Sequence, residues 1–358
     1  MSVSKYPCEQ CGAQLDFEPG TTDLKCQYCG FQQQINPTTE IIQELDFHAF
    51  ISENPPQTDI ETAKALHCNS CGAEYSMGPY QVAGACPFCG SNAVVSTEAE
   101  ARISPKSLLP FRIKANQAKD LFGKWVGGRF WAPNNLKKLA LLEHGLHGIY
   151  IPYWTYDSNT VTQYSGMRGI WHYRTETYRD SNGNTQTRQV RYTEWYPAAG
   201  TVFVPFDDVL VLGSTHLPPK YAQALSSWQL GELTPYQSEF LSGFQAMRYD
   251  VDLEDGFETA QKIMDPTIRQ AIHRDIGGNE QRITSMSVQY NDLTFKHILL
   301  PIWSGAYRYK GKSWSYLVNG QTGEIRGEAP VSAWKVAIAV ILGLLVIGTI
   351  IYFTSQSK

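Results

Sequence analysis

Residues 336–353 read VAIAVILGLLVIGTIIYF, eighteen consecutive residues without a charge. At about 1.5 Å per helical residue they extend roughly 27 Å, and with residues 332–335 in front they match a hydrocarbon core of about 30 Å. Trp334 and Tyr352 stand near the two ends, where amphipathic rings prefer to lie, and Lys335 and Lys358 flank the stretch. The stretch predicts one transmembrane helix over residues 332–353, followed by a short tail at 354–358, rather than a buried core helix.

The side of the membrane on which the bulk of the chain lies follows from its two ends. The N-terminal residues, MSVSKYPCEQC, contain no apolar segment of the kind that secretory signals carry. Moving the five tail residues TSQSK across a bilayer is far easier than moving everything before the helix. We therefore expect a single-pass, tail-anchored protein whose bulk faces the cytoplasm, where thiols stay reduced and can bind metal.

All eight cysteines fall into two copies of one pattern. Each copy is a Cys-x2-Cys pair, fourteen intervening residues and a second Cys-x2-Cys pair, and a glycine follows every pair. Each pair is a tight turn that aims two thiolates at one point, so two opposed turns complete the tetrahedral sulfur shell that suits Zn²⁺. The predicted ligands of two structural Zn²⁺ ions are, in order, Cys8, Cys11, Cys26, Cys29, Cys68, Cys71, Cys86 and Cys89.

The same cysteines allow other interpretations. Disulfides or a redox pair fit poorly with a cytoplasmic chain and with quartets, whereas iron remains open because four thiolates also suit it. A cross-braced pairing of Cys8 and Cys11 with Cys68 and Cys71 is less simple than two sequential ribbons, because a helical pattern and the breaker ENPPQTD separate the copies. His67, next to Cys68, is interpreted as a surplus neighbour of a complete quartet.

Charge argues against nucleic acid as the partner of the ribbons, although it does not exclude it. Residues 1–110 carry five Lys and Arg against thirteen Asp and Glu, so the cysteine-rich part is strongly acidic. A phosphate backbone would be repelled by such a surface. Protein contacts or a rigid spacer suit the ribbons better.

The large middle region has the pattern of an α+β domain. Apolar residues at helical spacing predict helices over 113–126 and 136–143, and a helix over 38–51 capped by Thr38 or Thr39. A helical block is expected over 219–276, with helix starts at Pro219, Pro235 and Pro266, Asp265 as a cap and an end at Gly277-Gly278. Period-two stretches predict a long hairpin around the turn DSNGNT, then strands joined by turns at Asn291-Asp292, Lys310-Gly311 and NGQTG. The motifs Ile151-Pro-Tyr-Trp154 and Leu300-Pro-Ile-Trp303 echo one another and favour two related halves.

The predicted organisation has seven parts. They are zinc ribbon 1 (1–35), a helical linker (36–66), zinc ribbon 2 (67–95), a linker (96–107), the α+β domain (108–330), the transmembrane helix (332–353) and the tail (354–358).

No stretch predicts an enzyme. Glu143-His144-Gly-Leu-His147 has its histidines three apart beside a glycine, which is more typical of a helix end than of a metal motif. Residues 305–313, GAYRYKGKS, have the wrong spacing for a phosphate loop and no following helix. Arginines interleaved with aromatic residues at 168–195 could grip single strands or lipid headgroups, but a solvated hairpin face is the better interpretation.

The order of ribbon, acidic ELDFHAF, ribbon, LLPFRI, GIYIPYWTYD, YNDLTFKHILLPIW and YRYKGKSWSYLVNGQTGEIRGEAPVS resembles a family of bacterial membrane-anchored zinc-ribbon proteins. The resemblance covers nearly the whole chain. Members of that family are often labelled primosomal protein N′, a replication-restart helicase, but this chain lacks a phosphate loop and the length of a helicase motor. The resemblance implies phage-shock or flotillin-type membrane-stress proteins as partners and assigns a role only to the eight cysteines.

Two functions are therefore expected from the sequence. The first is a cytoplasm-facing module that recruits protein partners to the membrane, in which lipid is contacted through the C-terminal helix. The alternative is a membrane-associated nucleic-acid-binding protein linked to replication or transcription.

Overall fold

A computed structural model of the chain combines helices and strands, as the α+β prediction requires. It describes residues 6–36, 38–52, 60–63, 66–70, 72–76, 86, 94–96, 100–133, 136, 146–181, 183–217, 221, 224–310 and 312–356. The helices are α1 (Phe47–Ser52), α2 (Ala115–Gly127), α3 (Leu253–Ile276) and α4 (Ala333–Gln356), with short 3-10 turns at Leu230–Glu232 and Ser238–Leu241.

Most strands are short, and three are very long. The N-terminal strands are β1 (Leu15–Phe17), β2 (Asp23–Cys26), β3 (Gln32–Gln34), β4 (Leu45–Asp46), β5 (Ile60–Ala63), β6 (Leu66–Cys68), β7 (Glu74–Ser76), β8 (Val94–Ser96), β9 (Glu100–Ile103) and β10 (Ser107–Leu108). The remaining strands are β11 (His147–Arg179), β12 (Thr185–Leu212), β13 (Thr234–Pro235), β14 (Gln245–Met247), β15 (Glu280–Tyr309), β16 (Lys312–Asn319) and β17 (Ile325–Gly327).

The fold is organised around β11, which lies between β12 and β15 and runs antiparallel to both. The three strands have 33, 28 and 30 residues. At about 3.3 Å per residue, β15 alone follows a path of roughly 100 Å. The predicted long hairpin is thus confirmed, and its turn closes where Asn184 donates its backbone amide to the Asp180 carboxylate at 2.9 Å.

The two proline-containing motifs lie side by side, since Ile151 pairs with Leu300 in the adjacent strand. Proline lacks the amide hydrogen that a central strand normally donates, so its placement needs a reason. Pro152 lies just past the end of β12 and Pro301 just past the end of β16, where each carbonyl accepts a hydrogen bond from a glycine, Gly213 or Gly320. A Cβ on either glycine would come within 3.0 Å of the proline carbonyl oxygen, which explains the glycines.

Alternate residues of the long strands bury two opposite faces. Tyr150 and Leu299 lie in a core with α2 and with β1 and β2, and Ile151 and Leu300 lie in a second core behind the sheet. Further along the first face, α3 covers Trp154, Tyr156 and Phe295. It does so with one stripe of buried residues at helical spacing: Leu253, Gly256, Ala260, Met264, Ile268, Ile272 and Ile276.

Several predicted elements are confirmed and several are wrong. The first helix of the α+β region is confirmed as α2, whereas the predicted helix over 38–51 is helical only from Phe47. Leu45 and Asp46 instead pair with Phe295 and Thr294, and the Asp46 carboxylate, not a threonine, accepts the Ala49 amide at 2.7 Å. The predicted helix over 136–143 lies almost wholly outside the described residues.

The helical block predicted over 219–276 is also wrong in its first part, where Thr234–Pro235 pairs with β10 and Gln245–Met247 pairs with β11 and β7. Pro266 lies inside α3 rather than at its start, and Asp252, not Asp265, is the N-cap. The helix tolerates this proline because its buried stripe continues unbroken on both sides. Gly277 ends α3 as predicted.

The predicted turn at Asn291-Asp292 is a bulge within the continuous strand β15. Asp292 has a φ of +51°, and the pairing with β11 shifts beside it between Asp157 and Asn159. The same level of β12 carries Asp208 with a φ of +50°. All three long strands are irregular at this level. The Asn-Asp pair, which the pattern predicts as a turn, therefore forms a bulge and the strand continues past it.

Candidate metal centre

The first four cysteines sit on two copies of the same tight turn. The Cys8 amide donates to the Ala13 carbonyl and its carbonyl accepts from Gly12, and the second turn repeats this with Cys26, Phe31 and Gly30. Gly12 and Gly30 have φ values of +75° and +78°, a conformation that favours glycine. The glycine after each cysteine pair therefore allows the turn that points both thiols inward.

The four sulfur atoms converge on one point. Cys8 Sγ lies 3.5 Å from Cys29 Sγ, Cys11 Sγ lies 3.5 Å from Cys26 Sγ, and all four ligand atoms lie within 4.8 Å of one another. Tetrahedral zinc with Zn–S bonds of about 2.3 Å would separate its sulfurs by about 3.8 Å. The N-terminal quartet is thus close enough to hold a metal ion with little movement.

The thiols of the quartet have unequal pKa values. Hydrogen bonds from the backbone of Cys29 and Tyr28, together with the Cys11 thiol, lower the pKa of Cys26 to about 6. The Phe31 amide lowers the pKa of Cys29, but partial desolvation and the thiols of Cys8, Cys11 and Cys26 outweigh it and raise that pKa to about 12. Four crowded thiols therefore share their protons unequally until a bound cation makes all of them thiolates.

Burial divides each pair in the same way. Cys8 and Cys26, the first members, are buried, whereas Cys11 and Cys29 are exposed. All four positions of a tetrahedral shell would be taken by sulfur, so a metal held here has no open position for a water or a substrate. The quartet suits a structural metal rather than a hydrolytic one.

The ribbon that carries this quartet, β1 to β3, is packed against the large sheet. Phe17 is buried edge-to-face against Phe240 with ring centroids 5.1 Å apart, and its amide donates to the Ser242 carbonyl. Gln14 donates to Ser242 Oγ at 3.0 Å, and the Gly20 amide donates to the Phe111 carbonyl at 2.8 Å. The ribbon is therefore joined to the domain by a shared core as well as by its chain connection.

The second quartet is described only in part, because Cys71 and Cys89 lie outside the described residues. Cys68 repeats the turn of the first ribbon, donating to Ala73 and accepting from Gly72, whose φ is +78°. Cys68 and Cys86 are buried together in one small cluster with Tyr75. As in the first ribbon, the first cysteine of each pair is buried.

The second ribbon continues the large sheet. β7 pairs with β14, which in turn pairs with β11, and β6 and β8 follow outward. His67 lies with Nδ1 3.6 Å from Glu74 Oε1. Sequence reasoning did not foresee this continuity, because two- and three-residue pairings leave no periodic signal.

A second group of possible metal ligands, missed by sequence reasoning, lies at the level where the long strands bulge. Asp157, Asp207 and Asp208 bring carboxylate oxygens within 4.8 Å of one another. Lys296 supplies one positive charge to this group, since Lys296 Nζ lies 2.8 Å from Asp208 Oδ1 and 3.0 Å from Glu44 Oε1. Because Lys296 and its partners lie up to about 250 residues apart, no local motif could have revealed them.

The other motifs singled out in the sequence take the following places. Glu143 and His144 lie outside the described residues, and burial lowers the pKa of His147, the first residue of β11. Residues 305–313 belong to the hairpin of β15 and β16. The arginines and aromatic residues at 168–195 lie on the β11–β12 hairpin.

The C-terminal helix α4 is long and apolar enough to cross a membrane. Its window Ala333–Ile350 has a mean hydropathy of 2.3, and none of it is buried against the rest of the described chain. The predicted apolar helix is confirmed in that sense.

Comparisons with known proteins add one relative. The chain is 25% identical over 336 residues to an uncharacterized protein, YdjG, of Bacillus subtilis strain 168, covering 94% of this chain and 92% of that one. No protein-family model and no solved structure matches the chain.

Proposed function

We propose that this chain is a tail-anchored, cytoplasm-facing protein that recruits protein partners to the membrane, with two structural Zn²⁺ ions held by its cysteine quartets. The observation that carries this proposal is that the chain has two exposed elements, an apolar helix and a two-stranded arm, and that they lie far apart. The apolar helix α4 leaves one end of the long sheet, and a bare two-stranded arm leaves the other.

The arm is the part of the β11–β12 hairpin beyond the third strand. β15 begins at Glu280, opposite Gly169, whereas β11 and β12 continue to pair from Ile170 with Glu194 to Arg179 with Thr185. Among the described residues no strand pairs with either edge of these ten residue pairs, although the Trp171 amide donates to Asn279 Oδ1 at 3.0 Å. At about 3.3 Å per residue the arm extends roughly 30 Å, far from the helix at the other end of β15.

The arm is stiffened by its own side chains. The Arg191 guanidinium lies 4.0 Å from the Trp171 ring centroid, and the Trp171 indole donates to Glu280 Oε1 at 2.7 Å. On the other face Arg174 and Arg188 both contact Glu176, and these two arginines lower its pKa. An isolated two-stranded ribbon is marginally stable in water, so such contacts are what keep the arm extended.

The arm presents tyrosine side chains to solvent. Tyr173 is 62% exposed, and Tyr178 and Tyr192 are each more than 40% exposed. Large exposed aromatic side chains on a rigid ribbon are typical of a protein-binding surface, and an open strand edge can pair with a segment of a partner. Phage-shock or flotillin-type membrane-stress proteins are the partners that the family resemblance favours.

The alternative, a nucleic-acid-binding protein, finds less support in the arm. Four arginines and three acidic residues lie between positions 170 and 194, and the arginines named above already face aromatic rings or Glu176. A groove that tracks phosphates would leave its cations free.

Membrane anchoring and orientation are tested with the full chain in cells. We expect the protein to stay in the membrane fraction after an alkaline wash, and protease added to intact spheroplasts to leave the bulk of the chain uncut. Release by the wash, or digestion of the ribbons from outside, would contradict the proposal.

Recruitment is tested by proximity labelling from the same full chain. The double variant Tyr173→Ser/Tyr192→Ser is expected to lose a specific set of labelled neighbours that the wild type and Phe203→Ser both keep. Phe203 is an aromatic residue of β12 outside the arm and is more exposed than either tyrosine. Identical labelled neighbours in the wild type and both variants would contradict the recruitment role of the arm. If the chain also bound single-stranded nucleic acid with an affinity that falls steeply with salt, the nucleic-acid-binding alternative would be favoured.

A further inference from the structure

The helix α4 does not leave the sheet alone, because a loop of the domain is tied to its first turn. The loop follows α2 and contains Phe130 and Trp131. The Ser332 amide donates to the Trp131 carbonyl at 2.8 Å, and Lys335 Nζ donates to the carbonyls of Phe130 and Ala132 at 2.9 and 2.8 Å. These bonds hold the loop at the level where the apolar helix begins.

The side chains at this level are aromatic and exposed. Phe130 is 73% exposed, Trp131 is 44% exposed, and Trp334, on the first turn of α4, is 74% exposed. None of these three residues is part of the buried core, to which neighbouring Phe122 and Ala132 belong. Aromatic side chains at the end of a membrane-crossing helix are typical of the layer between hydrocarbon and water.

The same surface is cationic. Lys124 and Arg129 are exposed beside the loop, with the Arg129 guanidinium 4.1 Å from the Trp125 ring centroid. Lys335 uses two of its three ammonium hydrogens on carbonyls, which leaves one. Among the described ion pairs none uses these three cations. Lys124 and Arg129 line a cavity of about 530 Å³ together with the loop, and no described acidic residue lines it.

We propose that this surface, formed by Phe130, Trp131, Trp334, Lys124, Arg129 and Lys335 and here called the rim patch, is a binding site for anionic phospholipid. The three rings enter the interfacial layer, and the three cations bind lipid phosphates. The proposal rests on α4 crossing the membrane, because the loop is bonded to that helix. It goes beyond anchoring, because it places the domain itself on the lipid surface, where cations attract anionic headgroups.

The charge pattern of the chain explains why such a contact is useful. The cysteine-rich part is strongly acidic and would be repelled by an anionic leaflet. A local group of cations beside the helix offsets that repulsion where the domain meets the lipid. The contact also limits tilting of the long sheet about the short connection to α4.

The test uses the full chain reconstituted in nanodiscs, with tryptophan fluorescence quenched by brominated lipid. Trp334 reports insertion of the helix, and Trp131 reports contact of the loop. We expect Trp131→Phe to lose a distinct part of the quenching that Trp195→Phe, at the base of the arm, keeps. This part should be at least twofold larger in discs containing phosphatidylglycerol than in discs of phosphatidylcholine alone.

The charge requirement is tested with Lys124→Gln/Arg129→Gln. We expect this variant to lose the phosphatidylglycerol dependence, whereas Lys262→Gln/Arg179→Gln, with the same loss of charge far from the rim patch, retains it. If the helix inserts, as shown by the quenching that Trp334→Phe removes, but Trp131→Phe changes nothing, the rim patch is wrong and the anchor stands. If the chain does not enter the discs at all, the anchor proposed above fails first.

Discussion

The first ribbon and the long sheet differ in the side chains that they bring together. The ribbon has strands of three or four residues, and four of its buried or inward-facing groups are cysteine sulfurs. The long strands instead bury Trp154, Tyr156 and Phe295 under α3, in a core that needs no metal. The same chain thus gathers candidate metal ligands where its own core is small and buries aromatic side chains where the core is large.

The largest expected effect is loss of the metal from the first ribbon. A structural zinc site contributes on the order of 10–16 kcal/mol of apparent binding free energy, so Cys26→Ser should remove one metal ion per chain and unfold the ribbon. Hydrogen exchange is expected to rise in residues 6–36 and to stay unchanged in β11 and β12.

The matched control for this variant is Tyr28→Ser, which changes a highly exposed residue of the same turn. It should keep both the metal content and the slow exchange. Unchanged exchange of residues 6–36 after metal loss would show that docking on the sheet alone stabilises the ribbon, which would break the comparison.

The second effect concerns the sheet and its buried ammonium. Lys296→Met leaves Asp157, Asp208 and Glu44 facing one another without a cation, and we expect a loss of about 3–5 kcal/mol in the free energy of unfolding of the sheet. Chemical denaturation in detergent measures it, and metal content should not change. Lys262→Met, on the exposed side of α3, should cost less than about 0.5 kcal/mol.

The stabilisation by Lys296 should depend on pH in a definite direction. Burial by itself would lower the pKa of Lys296, but Asp208, Glu44 and Asp157 outweigh burial and raise it. The stabilisation is therefore fully present below the usual lysine pKa and is lost only as the pH rises through the raised value. A loss of this contribution already near neutral pH would contradict the assignment.

The third effect lies at the joint between ribbon and sheet. Phe17→Ala removes a buried ring that contacts Phe240 and should cost about 3 kcal/mol, because the ribbon cannot fill the space without undocking. We expect the metal to be retained while exchange rises in β1 and around Phe240. Phe203→Ala, at an exposed position, is the control, and loss of metal in Phe17→Ala would show that the ribbon depends on the sheet to bind it.

The fourth effect is a dependence on pH inside the sheet. Burial raises the pKa of Asp157 to about 6, so its ionisation costs the folded state free energy that is absent below about pH 4 and complete above about pH 6. Asp157→Asn should therefore stabilise the sheet by on the order of 1 kcal/mol above pH 6 and not at pH 4. Equal stability of variant and wild type across this range would contradict the role given to burial.

The smallest effect is expected in the arm. Arg191→Ala removes a cation over the Trp171 ring and should cost about 0.5–1 kcal/mol, seen as faster exchange in residues 170–194 only. Arg179→Ala, which removes the same charge at the end of β11, is expected to leave the exchange of Trp171 and Thr193 unchanged. A global loss of stability in Arg191→Ala would mean that the arm is part of the sheet core.

Much of the local structure could be predicted from residue patterns. Helical spacing predicted α2, and period-two alternation around DSNGNT predicted the long hairpin, because both signals arise within one segment. The predicted helix starts at Pro235 and Pro266 were wrong for the opposite reason. Pro235 pairs with β10, and Pro266 sits within a helix whose stripe packs on the sheet, so tertiary contacts overrode the local preference.

The candidate metal site was likewise predictable in part. The spacing of Cys8, Cys11, Cys26 and Cys29 predicted that they would share a site, since two turns and a short hairpin suffice to bring them together. Neither the docking of Phe17 on Phe240 nor the group around Lys296 could be predicted, because each joins residues more than 200 positions apart with no repeat or period between them.

What the sequence by itself determined is the first cysteine quartet and the apolar C-terminal helix, because ligand spacing and hydrophobic length act within a short stretch of chain. What only the tertiary structure decided is that the arm and the helix lie at opposite ends of one sheet, and that a loop with Phe130 and Trp131 is bonded to the start of that helix. Strand register and long-range hydrogen bonds set these positions, and they depend on how distant segments pack together.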